Sequence, residues 1–124
     1  MENLTIQATA ISPMINFVAG KGLFEIKGRS VPENAMKFYD PLLEWTKAYV
    51  KNPLSETLLE LHIEYFNTSS SKCLLQIFKQ LEAIHGKSTQ VRMIWFYSED
   101  DMLEVGEDYQ MLLKIPIELR EIEY

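Results

Sequence analysis

The sequence predicts an α/β fold, a single sandwich in which three helices pack on a mixed sheet. Segments in which apolar and polar residues alternate are followed by segments in which apolar residues recur every three or four positions, in the order β-β-α-β-α-β-α-β. Strand–helix–strand successions favour parallel pairing of the two strands. With 124 residues, of which 47% are hydrophobic, the chain can build one core, so residues 1–124 are predicted to form one domain.

The first elements are a hairpin and a long helix. The glycine-containing loop at 20–22 separates two apolar strands and predicts that they pair antiparallel. Residues 30–33 (SVPE) match a capping box with proline in the first turn, which predicts the start of the first helix. Pro41 lies inside the helical pattern and predicts a bend.

The segment after the first helix, TLLELHIEYF at 57–66, alternates like a strand. Its apolar side chains are predicted to share one face, and these are Leu59, Leu61, Ile63 and Tyr65. The opposite face carries Glu60, His62 and Glu64, so the sheet is expected to keep one face in water.

Two more helix–strand units complete the chain. Apolar spacing from Leu74 to Ile84 predicts the second helix, and Gly86 is predicted to close it. The nearly continuous apolar run 91–97 (VRMIWFY) is typical of a strand covered on both faces and predicts a central position. Acidic residues at 98–101 (SEDD) predict the start of the third helix, and 117–124 is predicted as the last strand.

Charge and composition exclude several function classes. The formal net charge is −6 and no cluster of Lys and Arg is present, which argues against nucleic acid, because its binding depends on basic contacts to phosphates. No stretch approaches the roughly 18 apolar residues of a membrane span, so no membrane insertion is expected. The start of the chain lacks the pattern of a signal peptide, and Cys73 is the only cysteine, so a cytoplasmic location is expected.

One short pattern leaves an enzymatic alternative open. Ser69 and Lys72 match the S-x-x-K spacing of serine hydrolases that use a lysine base. Those enzymes also need S-D-N and K-T-G segments, which this chain lacks. A small hydrolase or a ligand-binding domain built around Ser69 and Lys72 is therefore the alternative interpretation, and no catalytic residue is assigned.

Other candidate residues favour structural interpretations. Glu60, His62 and Glu64 lie on one predicted strand face, but successive side chains on such a face are roughly 7 Å apart, too far for all three to bind one ion easily. No metal and no cofactor is expected. Cys73, one turn into the second helix, is interpreted as a small core residue, and both tryptophans are expected in the core.

Four consecutive hydroxyl residues, Thr68 to Ser71, stand where the strand pattern changes to the helix pattern. Ser, Thr and Asn are preferred helix caps, so capping alone could explain hydroxyls at this point. Phosphorylation is the second interpretation, because a phosphate at a helix N-terminus meets free N–H groups and the positive end of the dipole. The residues themselves leave both interpretations open.

Three motifs together resemble the SiaC family of bacterial regulatory phosphoproteins. They are 32–34 (PEN) at the head of the first helix, 65–72 (YFNTSSSK) at the strand–helix join and 95–97 (WFY) in the aromatic strand. The likeness covers nearly the whole chain, and the N-T-S-S-x-K join is its most specific part. The family is similar in plan to the STAS-type anti-sigma-factor antagonists, which implies a STAS-like sandwich.

This resemblance implies a partner-switching protein without catalysis of its own. A cognate protein kinase would phosphorylate Thr68, and a PP2C-type phosphatase would remove the phosphate. The unphosphorylated form would bind and activate a GGDEF-type diguanylate cyclase and so control cyclic-di-GMP signalling and biofilm formation. The neighbouring residues that match the family motifs are expected to contact partners, and these are Glu33, Asn34, Asn67, Ser69 and Ser70. Pro41, inside the first helix, departs from the family pattern.

Overall fold

Three helices cover one face of a six-stranded sheet. The computed structural model describes residues 1–123. The strands are β1 (Leu4–Ile6), β2 (Met14–Val18), β3 (Leu23–Ser30), β4 (Glu56–Phe66), β5 (Gln90–Tyr97) and β6 (Ile117–Glu121), and the helices are α1 (Ala35–Tyr49), α2 (Thr68–Glu82) and α3 (Asp100–Leu112).

The strands lie side by side in chain order, from β1 at one edge to β6 at the other. The first three pair antiparallel, and β3, β4, β5 and β6 pair parallel through the three helices. Because each crossover moves to the next strand in the same direction and crossovers are right-handed, all three helices lie on the same face. The predicted α/β sandwich on a mixed sheet is confirmed, and β1 is an additional edge strand that the prediction missed.

The core lies between the helices and the inward face of the sheet. Ile15 and Phe17 of β2 and Phe24, Ile26 and Ser30 of β3 are buried at alternate positions, and Trp95 of β5 is fully enclosed. The indole N–H of Trp95 donates to the carbonyl oxygen of Met102 at 2.8 Å, which satisfies the buried donor and ties α3 to the sheet. The predictions that Cys73 and Trp95 pack in the core are confirmed, whereas Trp45 is half-buried at the edge of the core.

The other face of the sheet carries no helix in the described part of the chain. His62 and Phe96 stack there with their ring centroids 3.7 Å apart. Partial burial, and secondarily the charge of Lys27, lower the pKa of His62, so the imidazole is neutral at physiological pH. The prediction that β5 is central and covered on both faces is wrong, since it lies beside the edge strand β6 and Phe96 stays partly exposed.

The start of α1, the end of α2 and the end of the last strand differ from the predicted positions. Ser30 is the last residue of β3, and α1 begins at Ala35 with Asn34 as its cap, so the predicted capping box at 30–33 is wrong. The second helix ends at Glu82, before Gly86, which instead occupies the following turn with φ of 78°. The predicted last strand ends at Glu121, and Tyr124 lies outside the described residues.

A β-bulge distorts the parallel pairing of β3 and β4 near their carboxyl ends. Gly28 pairs with Ile63, but Arg29 pairs with Tyr65, so Glu64 is an extra residue in β4. After the bulge, Tyr65 no longer follows the buried face, and 47% of its surface is exposed. The prediction that Tyr65 shares the buried face of Leu59, Leu61 and Ile63 is therefore wrong.

A chain of three buried hydroxyls joins β3, α1 and α2. Ser30 Oγ donates to Ser70 Oγ at 2.8 Å and lies 2.7 Å from the hydroxyl oxygen of Tyr39. Since the single proton of Ser30 goes to Ser70, Tyr39 must be the donor to Ser30. Burial raises the pKa of Tyr39 to about 12, so the cluster is neutral at physiological pH.

We expect Gly106→Ala to destabilise the protein by about 1–3 kcal/mol, because added atoms in a well-packed core force side chains and backbone to shift. A Cβ at this position of α3 would lie 2.6 Å from Trp95 Cδ1 and 2.7 Å from Leu119 Cδ2. Gly20→Ala is the control, since nothing lies within 4 Å of its added Cβ. Urea unfolding measures both variants, and equal stability of the two would contradict the close contact.

We expect the stability that Tyr39 contributes to fall at alkaline pH. Because its pKa rises from 10.0 to about 12 on folding, the stabilisation is complete below pH 10 and is lost as pH rises through 12. The slope should approach about 1.4 kcal/mol per pH unit within that window. Urea unfolding of wild type and Tyr39→Phe across this pH range gives the difference between their free energies of unfolding, and this difference should shrink as pH rises. A constant difference would show that the hydroxyl is not held protonated by the fold.

Candidate functional site

Thr68 is the first residue of α2, and its side chain is exposed. The preceding Asn67 has extended backbone angles, φ of −88° and ψ of 170°, and caps the helix. Its Oδ1 atom accepts a hydrogen bond from the Ser70 backbone N–H at 2.9 Å. The predicted placement of an accessible Thr68 at the start of the second helix is confirmed, but the cap is Asn67 and not a hydroxyl residue.

The four hydroxyl residues differ in burial and in hydrogen bonding, and two of them, Thr68 and Ser69, are exposed. Ser70 is fully buried in the cluster with Ser30, so it cannot contact a partner in this conformation, contrary to its place in the predicted docking set. The half-buried Ser71 donates its hydroxyl proton to the Thr68 carbonyl oxygen at 2.9 Å. Ser69 is exposed. Among the described residues, no hydrogen bond involves the Thr68 hydroxyl.

The join between β4 and α2 lies at the carboxyl ends of the parallel strands. The Asn67 backbone N–H donates to the Ser30 carbonyl oxygen at 3.1 Å, which fixes the join beside the end of β3. The Arg29 guanidinium lies 5.6 Å from the centroid of the exposed Tyr65 ring. In open α/β sheets, binding sites lie at this edge, so exposed groups here form a candidate binding surface.

The head of α1 borders the same edge. Glu33 and Asn34 are exposed, which their predicted contact with a partner requires, and Asn34 Oδ1 accepts a hydrogen bond from the Lys37 backbone N–H at 3.1 Å. The Asn34 side chain therefore has a structural use as a helix cap. Met36, in the first turn of α1, leaves half of its surface exposed, which adds an apolar contact to this edge.

Two shallow grooves flank Lys72. One, of about 260 Å³, lies between α2 and α3, and the other, of about 220 Å³, lies between α1 and α2 and includes Ser69 and Met36. Ligand pockets usually enclose about 300–1,000 Å³, and both grooves are smaller than that. In the described part of the chain, no hydrogen bond joins Ser69 Oγ to Lys72 Nζ, so the S-x-x-K spacing does not assemble a nucleophile–base pair.

The buried Cys73 faces α1, where its sulfur lies 3.6 Å from the Met36 sulfur. Burial, together with the negative charge of Asp40, raises the pKa of the thiol. A protonated, enclosed thiol is a poor nucleophile, which agrees with a packing role. Within residues 1–123, no group of three or more His, Cys, Asp and Glu residues is placed to hold a metal ion. No helix in that same range is long and apolar enough to cross a membrane.

Sequence reasoning missed the residues that hold the join in place. Ser30 and Tyr39 are nine residues apart, and Ser30 and Ser70 are forty apart, so no local pattern connects them. The only signal was a small polar residue at the end of an apolar strand, which was assigned to a capping box instead. The bulge that turns Tyr65 outward gave no sequence signal beyond Gly28 on the neighbouring strand.

Solved structures with this fold come from Pseudomonas aeruginosa. Apo-SiaC superposes with a TM-score of 0.90 at 26% identity, over 97% of this chain and 99% of the other. SiaC in its complex with the diguanylate cyclase SiaD, which it activates, superposes with a TM-score of 0.89 at 25% identity, over 96% of this chain and 99% of that one.

Sequence comparison extends over the same range. An uncharacterised protein of Pseudomonas aeruginosa strain UCBPP-PA14 is 25% identical over 122 residues, 97% of each chain. The family model for SiaC family regulatory phosphoproteins matches residues 6–122, from the edge strand to beyond β6. With the exposed threonine at the head of α2 and the matching fold, this extent of agreement shows that the chain belongs to the SiaC family of regulatory phosphoproteins.

Proposed function

We propose that this chain is a non-catalytic switch whose binding is controlled by phosphorylation of Thr68. In the unphosphorylated state it binds and activates a GGDEF-type diguanylate cyclase, and so controls cyclic-di-GMP signalling and biofilm formation. A cognate protein kinase adds the phosphate and a PP2C-type phosphatase removes it, in the cytoplasm. Membership of the SiaC family and the activating complex of the Pseudomonas aeruginosa SiaC with SiaD support this proposal.

The observation that carries the proposal is the separation of the helix cap from the neighbouring hydroxyl. Asn67 satisfies the backbone donor at the head of α2, whereas Thr68 is exposed. A kinase can therefore reach the hydroxyl, and the fold does not depend on it. Of the four hydroxyls in the run, Ser70 is enclosed and Ser71 is bonded to the backbone, which leaves Thr68 and Ser69 accessible. Of these two, the family resemblance implies that Thr68 is the acceptor.

The position also explains how the folded domain tolerates the new charge. A phosphate adds about −1.5 to −2 charge at neutral pH. At the first residue of α2 it meets the positive end of the helix dipole, and no acidic side chain lies in the first turn to repel it. The modification thus adds negative charge to this surface while the fold stays intact, as a docking switch requires.

Exposed groups at the same edge supply the contacts that the unphosphorylated form would use. Tyr65 and Met36 offer apolar area, and Ser69 and Glu33 offer polar groups beside them, whereas Asn67 is half-buried and its Oδ1 atom already caps α2. Aromatic residues are enriched in the energetically dominant contacts of protein interfaces. The hydrolase alternative is disfavoured, because Ser69 and Lys72 are not hydrogen-bonded and the adjoining grooves are shallow.

We expect Asn67→Ala to lower the free energy of unfolding by about 1 kcal/mol, because it removes the cap of α2. Thr68→Ala should stay within about 0.5 kcal/mol of wild type, since surface substitutions away from caps and cores have small effects. Urea unfolding of the two variants gives both values. If Thr68→Ala lowered the free energy of unfolding more than Asn67→Ala does, Thr68 would have a structural role.

We expect phosphothreonine at 68 to abolish binding to the diguanylate cyclase while keeping the melting temperature within a few degrees of wild type. A loss of only ~3 kcal/mol is more than a hundredfold in affinity. Thr68→Ala should retain binding and resist regulation. Calorimetric titration of each form against the cyclase measures the affinities.

Phosphoserine at Ser88 is the matched control for charge. Ser88 is exposed beyond the far end of α2, about 20 Å from Thr68 along the helix axis. The Ser88 phosphate should leave cyclase binding unchanged. Equal cyclase affinities of the Thr68-phosphorylated and unmodified proteins would refute the switch. If the Ser88 phosphate weakened cyclase binding as much as the Thr68 phosphate does, the loss of affinity would be an effect of net charge and not of position.

A further inference from the structure

Lys72 lies one helical turn after Thr68, on the same side of α2. Residues four apart on a helix have their Cβ atoms about 5–6 Å apart and can pair without any change of backbone. Both residues are exposed. An acidic group four residues before a lysine is the favourable order for an ion pair on a helix, and a phosphate on Thr68 would stand in that order relative to Lys72. A phosphate on Thr68 is therefore within reach of the Lys72 ammonium group.

The Lys72 charge has no ionic partner in the described part of the chain. The ion pairs in that part of the chain join Lys47 to Glu44, Lys79 to Glu82 and Arg120 to Glu118, and none of them involves Lys72. Of the described residues that line the two grooves beside α2, only Lys72 and Asp108 carry a charge. Asp108 belongs to α3, on the opposite side of the groove between α2 and α3.

The groove between α2 and α3, beside Lys72, can accept apolar side chains of a partner. The groove between α2 and α3 is lined by apolar groups along most of its length, and these are Phe66, Leu75, Val105 and Leu112. Leu112 leaves 55% of its surface exposed. A single unpaired cation beside an apolar groove is complementary to a partner helix that carries one carboxylate next to apolar residues.

We propose that Lys72 is the contact through which the Thr68 phosphate controls docking. In the unphosphorylated protein, Lys72 binds a carboxylate on a helix of the partner, whose apolar side chains enter the adjoining groove. In the phosphorylated protein, Lys72 pairs with the phosphate on its own helix and is no longer available to the partner. The same partner carboxylate is then repelled by the phosphate, so one acidic residue accounts for both the bound and the released state.

This inference rests on the proposed function, but its first test needs no cyclase. Phosphothreonine is placed at 68 in wild type, Lys72→Gln and Lys72→Arg, and the second ionisation of the phosphate is followed by phosphorus NMR. A nearby cation lowers that pKa from its usual value near 6, so Lys72→Gln should raise it by about 0.3 pH unit or more. Lys72→Arg should keep the wild-type value. The same phosphate pKa in all three proteins would overturn the inference.

The second test measures cyclase affinity of the unphosphorylated variants by calorimetric titration. Lys72→Gln should bind about tenfold or more weakly than wild type, and Lys72→Arg should retain most of the affinity. Lys87→Gln, an exposed lysine beyond the far end of α2, makes the same change in net charge and should bind like wild type. Wild-type affinity of Lys72→Gln, or an equal loss in Lys87→Gln, would also overturn the inference.

Failure of the proposed function would look different. In that case wild type itself would bind the cyclase equally with and without the Thr68 phosphate. If wild type switches normally while Lys72→Gln binds as wild type does, the switch stands and the role of Lys72 is refuted.

Discussion

The chain of buried hydroxyls that joins Ser30, Tyr39 and Ser70 fixes the geometry on which the site depends. It ties the carboxyl end of β3 to α1 and to the first turn of α2, at the point where the sheet ends. Each group would be costly to bury alone, but together they satisfy one another. The three elements are thereby held in one arrangement, and the residues before Ser70 in the chain are held at the surface.

At the head of α2, the residues that stabilise the helix are distinct from the exposed Thr68 that lies between them. Asn67 caps the helix and also bonds to β3 through its backbone, and Ser70 anchors the first turn to the core. Thr68 lies between these two fixed points and is exposed, and no hydrogen bond in the described part of the chain involves its hydroxyl. A phosphate can therefore be added at a rigid position, so the change in charge is delivered to one defined place on the surface.

The charges near Thr68 differ in sign from the net charge of the chain. The chain carries a net charge of −6, yet the first turn of α2 has no acidic residue and the next turn supplies an unpaired lysine. The first two turns of α2 therefore carry one positive side chain and no negative one. An added phosphate reverses that local property, which changes the fit to a charged partner far more than the same charge would on the acidic α3.

The sequence by itself determined the class of fold, the order of the long elements and the position of Thr68, because hydrophobic periodicity and the strand-to-helix change of period are local properties. Only the tertiary structure decided which of the four hydroxyls are exposed and which are not, that Asn67 is the cap, and that Tyr65 turns outward. Ser70 is buried because Ser30 and Tyr39, distant in the chain, converge on it, and Tyr65 is exposed because the bulge shifts its pairing with β3. The three-residue strand β1 likewise exists through its pairing with β2, and a strand so short has too few positions to show alternation. Contacts between residues far apart in the chain set these features, and no window of sequence contains both partners.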